Sequence, residues 1–453
     1  MTVTRRIVHS LAAVCLAVVA ACGHHDGPPV TELRFWAMGR EGEVVQALLP
    51  AFERAHPGVR VRVQQVPWSA AHEKLLTAFV GGSMPDVFQA GSTWMAELVA
   101  LGAVRSLDDH LPGGNDADEF PGIAAANRID GHTWALPWYV DTRLLFYRAD
   151  LLRAAGWETP PSDWAGWRRA LADLKHRAGP DRYALLLPLD DWQTPVILAL
   201  QGGARLLRGE DEWGDFQSAA FHDAFSFYLD FFKQNLAPAG AQGQVANLYQ
   251  DFAAGFFSVF ITGPWNLGEL AARMPADLQS SWATAPMPGT VPGSPGLSIA
   301  GGASLAIAAD TPHADAAWAL VSFLAAAEQQ LDFYRLSGDL PARPSAWTAG
   351  RLADDPRVAA FWAQLQHVEP PPRIPEWERI AAAISRAAEA AVRGDRSPDE
   401  ALAELDREVD AILAKRRWLL AQRRAEPRTS SRARDAGEPP ALPGGALNAA
   451  RCM

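Results

Sequence analysis

A chain of 453 residues, about half of them apolar and a fifth charged, has a globular composition and enough length for two ordinary domains, each with its own core. Its formal net charge of −11 argues against nucleic acid as the main partner, because phosphate binding needs a basic surface. Seventeen Trp residues are many for this length; the flat indole serves cores and binding pockets alike, so most are assigned to the core and a few to a site.

The first segment reads as an export signal. Arg5 and Arg6 form a positive start, and Leu11 to Ala21 is an apolar run too short to span a membrane and stop there. The run ends Val19-Ala20-Ala21-Cys22, which resembles a bacterial lipobox. The resemblance implies that residues 1–21 are removed, that Cys22 is acylated, and that the protein is lipid-anchored in the periplasm or cell envelope. A plain secretory signal cleaved near Ala21 is the alternative. With Cys15 in the signal and Cys22 acylated, only Cys452 remains, so no structural disulfide is expected. Residues 22–30 form a polar tether, in which His24, His25 and Asp26 read as linker rather than metal ligands. No later stretch is apolar enough for a transmembrane helix.

From residue 32 strands and helices alternate. Glu32 to Ala37 reads as a strand, and Glu43 to Ala55 as an amphipathic helix with Val44, Val45, Leu48, Leu49 and Phe52 on one face, stopped by His56-Pro57-Gly58. Val59, Val61 and Val63 alternate with polar residues as a half-buried strand. A helix over about 70–80 and a short strand at Pro85-Asp86-Val87-Phe88 follow. This alternation predicts a parallel or mixed sheet with helices on both faces. Trp134 to Tyr147 is extended and aromatic. Helices are then predicted over 162–178, with Ser162 as N-cap and Gly179-Pro180 as stop, and over 193–200, 216–235 and 247–256. Met287 to Gly302 is a Pro/Gly/Ser-rich loop, followed by a strand (304–308), a helix (313–330), and a helical stretch over 375–418 broken near Gly394-Asp395 and restarted at Ser397-Pro398. The Arg-, Pro- and Gly-rich end reads as a disordered tail.

On these ordered fragments the chain resembles the extracellular solute-binding proteins of family 1, especially the maltose/trehalose type serving carbohydrate ABC importers. The resemblance rests on FERAHPGV (52–59), MPDV (84–87), WALPWYVDTRLLFYRADLL (134–152), Gly156-Trp157, Pro161 to Trp167, FAAGFFSVFITGPW (252–265), Gly301-Gly302, AWALVSFL (317–324) and GDLPAR (338–343). It covers about 30–415. It implies an α/β, two-lobed periplasmic-binding-protein fold, type II-like, with the ligand cleft between lobes joined by a multi-strand hinge. The lobes are then 31–139 with 285–328, and 140–284 with 329–418; 419–453 is the tail. The chain would be a monomer without cofactor that hands a sugar to the permease subunits of an importer.

A sugar ring has hydroxylated edges and an apolar C–H face, so its site pairs carboxylates at the edge with an aromatic plane on the face. The resemblance places Asp141 first among sugar-binding candidates; Tyr139 shares its strand face by period two. Trp265 in Gly263-Pro264-Trp265 resembles the family's aromatic platform. Glu41 matches a position that reaches ligand, with Glu43 as the alternative. Ser92 and Thr93, Trp68, Trp192, Gly301, Gly302, Arg343 and Arg373 complete the set, the glycines by letting backbone approach the ligand and the arginines by donating to ring hydroxyls. Gly91 and Ala303 stand where some relatives carry Asp and Trp, which leaves the sugar open. HExxH, Cys/His zinc spacing and a Walker loop are missing from the sequence. Gly296-Leu297-Ser298-Ile299-Ala300 falls short of a nucleophile elbow, lacking the last glycine. Asp108-Asp109 and Asp190-Asp191 do not by adjacency supply the spacing glycoside hydrolysis needs. A lipoprotein glycosidase and a receptor presenting its ligand to a membrane sensor are the competing functions.

Overall fold

The computed structural model describes residues 30–111, 118–239, 247–293 and 295–425. The export signal, Cys22, the His24-His25 pair and Cys452 lie outside the described residues.

Two sheets carry the fold. Their strands, in chain order, are β1 (Thr31–Met38), β2 (Val59–Val66), β3 (Val87–Gly91), β4 (Ala135–Asp141), β5 (Leu144–Arg148), β6 (Tyr183–Leu186), β7 (Phe257–Thr262), β8 (Trp282–Ala285), β9 (Gly301–Ile307) and β10 (Leu340–Pro341). The first lobe is built on the six-stranded order β10-β4-β9-β3-β1-β2, and the second on the four-stranded order β8-β5-β7-β6. β1 pairs parallel with β2 and β3, whereas β9 runs antiparallel to β3 and β4, so the first sheet is mixed.

Alternation along β1 decides which helices cover which face. Leu33, Phe35 and Ala37 enter a core shared with Trp138, Leu320 and Phe333, while Trp36 and Met38 enter the opposite core with Leu75, Phe88 and Met95. In the second lobe Leu145 and Tyr147 face helices Trp164–Ala178, Gln193–Gln201, Ala219–Lys233, Trp377–Arg393 and Pro398–Ile412. Leu144 and Phe146 face the other way, toward Phe260 and Phe361. Trp138, Trp167 and Trp377 are fully buried, as the core assignment of most indoles requires.

Several local expectations are corrected. The helix expected from Glu43 to Ala55 is a short turn Glu41–Val44, a 3₁₀ turn Val45–Ala47 and a second helix Leu49–Ala55. Pro50 has no N–H for the helix ladder, so it is tolerated only at a fresh helix start. Asp163, not Ser162, caps helix 164–178, its carboxylate accepting from the Gly166 N–H at 2.9 Å. The helix expected over 313–330 is two, Ala314–Leu324 and Ala327–Ser337. The break near Gly394 falls where expected: Gly394 (φ +80) ends one helix, and a Ser397–Glu400 capping box starts the next.

The lobe boundaries shift as well. Phe333 stacks on Trp138 with ring centroids 4.4 Å apart, and β10 pairs with β4, so residues through 341 belong with the first lobe rather than ending at 328. Met287 and Ile299 sit in the second lobe's core, so the return to the first lobe begins at Gly301, not 285. Residues 419–425 are not tail: a helix, Ala414–Ala425, packs Arg417 over Trp213 (3.8 Å), and its Arg424 pairs with Glu210 at 2.7 Å.

Within the second lobe, the buried Asp406 carboxylate ties helix 398–412 to the segment at Phe216–Gln217. Asp406 accepts from the Phe216 N–H (2.9 Å), the Gln217 N–H (3.2 Å) and the Gln217 side-chain amide (2.9 Å). Asp406→Ala strands these donors and is expected to cost about 3 kcal/mol, read by chemical unfolding followed through tryptophan fluorescence.

Candidate functional site

The lobes enclose a cleft of about 890 Å³, in the range of small-molecule sites. The first lobe lines it with Arg40, Glu41, Trp68, Tyr139, Gly302, Ser337 and Asp339. The second contributes Arg143, Gln193, Asn247, Leu248, Tyr249, Pro264, Trp265, Glu269 and Arg273, and Asp141 stands where the chain crosses between them.

The first wall is a hydrogen-bond relay. The Met38 N–H donates to Gln89 Oε1 (2.7 Å), Gln89 Nε2 donates to the Tyr139 hydroxyl (3.0 Å), and that hydroxyl donates to Glu41 Oε1 (2.8 Å). Trp68 Nε1 donates to the same carboxylate oxygen at 3.2 Å. Burial pushes the Tyr139 phenol far up and the neighbouring Glu41 charge adds to it, so the hydroxyl stays a donor. Gly39, at φ +48, makes the turn after β1; a Cβ there would sit 2.9 Å from Trp68 Cδ1.

The second wall is built on Trp265, which opens helix Trp265–Arg273 after β7 and is 40 % exposed. One face of its indole is covered by the Arg143 guanidinium, 4.6 Å from a ring centroid. Arg143 also bonds Gln193 Oε1 and lies 3.4 Å from Asp141 Oδ1. Gly263 is fixed by packing: a Cβ would fall 2.0 Å from Trp265 Cζ3 and 2.4 Å from Asp141 Oδ1. Gly302 (φ +131) lies just before an irregularity at Ala303/Ser304 in the β9–β4 pairing, and a Cβ there would meet the Tyr139 carbonyl at 2.3 Å.

Besides Glu269, three carboxylates line the cleft and act on one another: Glu41, Asp141 and Asp339. Burial raises the Asp141 carboxyl; Arg143 opposes the rise and Asp191 adds to it. Asp339 is pushed up to about 7, first by burial and then by the charge of Glu41. Among the described residues no group of three or more His, Cys, Asp or Glu side chains could hold a metal ion.

Of the residues singled out in the sequence, Glu41, Trp68, Tyr139, Asp141, Trp265 and Gly302 line the cleft. Glu43 points to solvent instead. Gly301 pairs with Asp141 at the ladder's end without lining the cavity. Five residues are placed elsewhere. Ser92, Thr93 and Arg373 line a narrow separate depression with Pro370–Pro372, and Arg373 donates to the Ala125 and Arg128 carbonyls. Trp192 packs edge-on against buried Trp377, 5.2 Å between centroids. Arg343 donates to the Ala325 carbonyl and pairs with Asp118 at 3.7 Å. Buried Ser298, from the near-elbow sequence, donates to the Arg143 carbonyl at 2.8 Å and so braces the crossing.

Sequence reasoning passed over Arg143 and Asp339, although both lie in fragments that carried the resemblance. Asp339 precedes β10, whose pairing with Tyr139–Val140 brings it beside Asp141; only that long-range pairing reveals it. Arg40, Gln193, Tyr249, Glu269 and Arg273 gave no local signal.

Two α/β lobes around a cleft, joined by a multi-strand crossing, define a two-lobed binding protein of the periplasmic type. Residues 38–331 match the model of the bacterial extracellular solute-binding protein family, and the chain belongs to that family. Its members bind solutes; they are not enzymes. A binding protein of Brucella abortus (strain 2308) is 25 % identical over 412 residues, covering 88 % of this chain and 97 % of its own. The sugar-binding protein MalE of Xanthomonas citri superposes with a TM-score of 0.82 at 43 % identity, covering 86 % of this chain and all of that one. The GacH receptor of Streptomyces glaucescens GLA.O, solved unliganded and with acarbose and an acarbose homolog, gives 0.75 at 26 % identity over 85 % and 99 % of the two chains.

The raised Asp339 carboxyl has a thermodynamic consequence. Between its unfolded value near 4 and about 7 the folded state holds more protons than the unfolded state, so this group's contribution to stability falls as pH rises through that window. Asp339→Asn is expected to raise the melting temperature at pH 8 more than at pH 5, measured by thermal unfolding across pH.

Proposed function

We propose that the cleft binds an oligosaccharide of the maltose or trehalose type, an α-glucoside, and that the protein, as a monomer, delivers it to the permease of an ABC importer. The observation that carries this reading is the half-exposed Trp265 indole beside the Asp141 carboxylate, facing Glu41, Tyr139 and Trp68 across the same cavity. An aromatic plane accepts the C–H face of a sugar, and carboxylates accept from its hydroxyls more strongly than neutral groups do. A ligand that touches both walls favours the closed arrangement of the lobes over the open one. The likeness to the sugar-binding MalE protein and to a receptor solved with acarbose supports the same chemical class. No separated acid/base pair is invoked: Asp108 is engaged by His132 and the Thr133 N–H, and Asp191 accepts from the Gln193 N–H.

Calorimetric titration with maltose, trehalose and longer α-glucosides tests the reading. Wild type is expected to bind at least one of them and return it intact. Asp141→Asn and Trp265→Ala are each expected to weaken binding by about 10- to 100-fold, the first through a lost hydrogen bond to a charged group and the second through lost burial of the sugar's apolar face. Wild type indifferent to every α-glucoside refutes the substrate class, whereas folded variants that bind like wild type refute the residue roles.

The same proposal places the protein outside the cytoplasm on a lipid anchor at Cys22. Cys22→Ala is expected to release it from the membrane fraction after a high-salt wash, because each buried CH₂ of an acyl chain contributes roughly 0.8 kcal/mol. Retention after the wash refutes the anchor.

A further inference from the structure

Helix Ala414–Ala425 carries a surface that ligand binding does not use. Its sequence, AKRRWLLAQRRA, contains no acidic residue. Arg416, Arg417 and Arg424 fasten it to the second lobe. Arg416 donates to the Asp211 carbonyl (3.0 Å), Arg417 donates to the Glu212 (2.8 Å) and Asp410 (2.7 Å) carbonyls, and Arg424 pairs with Glu210 and Glu212. The opposite face is a single stripe at helical spacing: Lys415, Trp418, Leu419, Gln422 and Arg423. Every member of the stripe is exposed, Trp418 by 58 % and Leu419 by 40 %. Neither Lys415 nor Arg423 has an ion-pair partner among the described residues.

An indole and a leucine flanked by cations at both ends of a stripe match one environment closely. The indole and leucine enter the boundary between headgroups and acyl chains, and the long cationic side chains reach the phosphates. We propose that this face docks the protein onto a membrane surface of anionic phospholipid, independently of any acyl chain. Charge complementarity selects this occupant. A second copy would bring the same cationic stripe against itself, and nucleic acid would leave the apolar centre unused. The negative body does not oppose docking at close range, because Glu210 and Glu212 are already paired with Arg424 and charges beyond about 10 Å are screened. The inference does not rest on the sugar reading, which its test leaves untouched.

The test uses the full chain with Cys22→Ala, which carries no acyl group, and vesicles of phosphatidylcholine alone or mixed equally with phosphatidylglycerol. Co-sedimentation is expected with the mixed vesicles at low salt, to be lost at 0.5 M salt by the logic of screening, and to be absent with phosphatidylcholine alone. Trp418→Ala with Leu419→Ala, and separately Lys415→Glu with Arg423→Glu, are each expected to weaken binding at least tenfold at unchanged melting temperature. The charge pair lies wholly on the surface, so it keeps the test decisive if the apolar pair disturbs folding. Equal binding by the charge variant, equal binding to phosphatidylcholine, or no binding by the parent chain overturns the proposal. So does self-association abolished by the apolar pair without any vesicle binding, which would assign the face to a second copy.

Discussion

Everything in the cleft hangs on the three residues that carry the chain from one sheet to the other. Asp141 ends β4, Thr142 is buried, and Arg143 leads directly into β5. The Arg143 guanidinium bonds Gln193, lies beside Asp141 and covers Trp265, while its carbonyl accepts from Ser298, just before the chain returns at Gly301. One residue thus ties together a helix of the second lobe, the Trp265 indole, the crossing carboxylate and the segment that leads into the chain's return. A site on such a junction is defined by both lobes at once, so any displacement of one lobe against the other re-spaces its polar groups.

The same junction concentrates negative charge away from water. Glu41 is satisfied by two donors, Tyr139 and Trp68; Asp141 leans on Arg143; at Asp339 burial and the charges of Glu41 and Asp141 outweigh the Ser337 hydrogen bond and the Arg40 charge, and its carboxyl is driven up accordingly. A core built only for stability would not gather three carboxylates here, because a buried charge without full pairing is costly. On the proposed sugar reading they are acceptors for hydroxyls, and local rules give way there to recognition.

What the sequence revealed, and what it hid, divides along contact range. Period-two and helical patterns located β1, β2 and the helices over 164–178, 193–201 and 377–393, because each pattern is written into neighbouring residues. Pro50 and Asp163 were legible in principle: a proline inside a predicted helix and an acid beside a serine at its start both signal the boundary found. The family fragments were legible as a set, yet several of them are structural. Arg148 in the FYRADLL run makes a bidentate pair with Asp150 and donates to the Phe252 and Ala253 carbonyls, and Asp86 in MPDV accepts from the Arg34 N–H and from Thr311. Choosing site residues from such fragments therefore selected Arg343, which holds a turn, over Asp339 four positions earlier, which faces the cleft. The cleft is assembled by pairings between distant segments, above all β10 on β4, and no local pattern encodes them.

If Trp265 is the sugar platform proposed above, its covered face has a kinetic meaning. An indole backed by a guanidinium, and folded over a glycine that leaves it no other room, is held in place before any ligand arrives. Only one side of the ring is open, so partners must approach from a single direction and stack in a single sense. Because the ring gives up little freedom on contact, the entropic cost of forming the stack is small. Discrimination among ligands that fit this one-sided shelf then resides chiefly in how long each remains, since related partners differ far more in departure rate than in arrival rate.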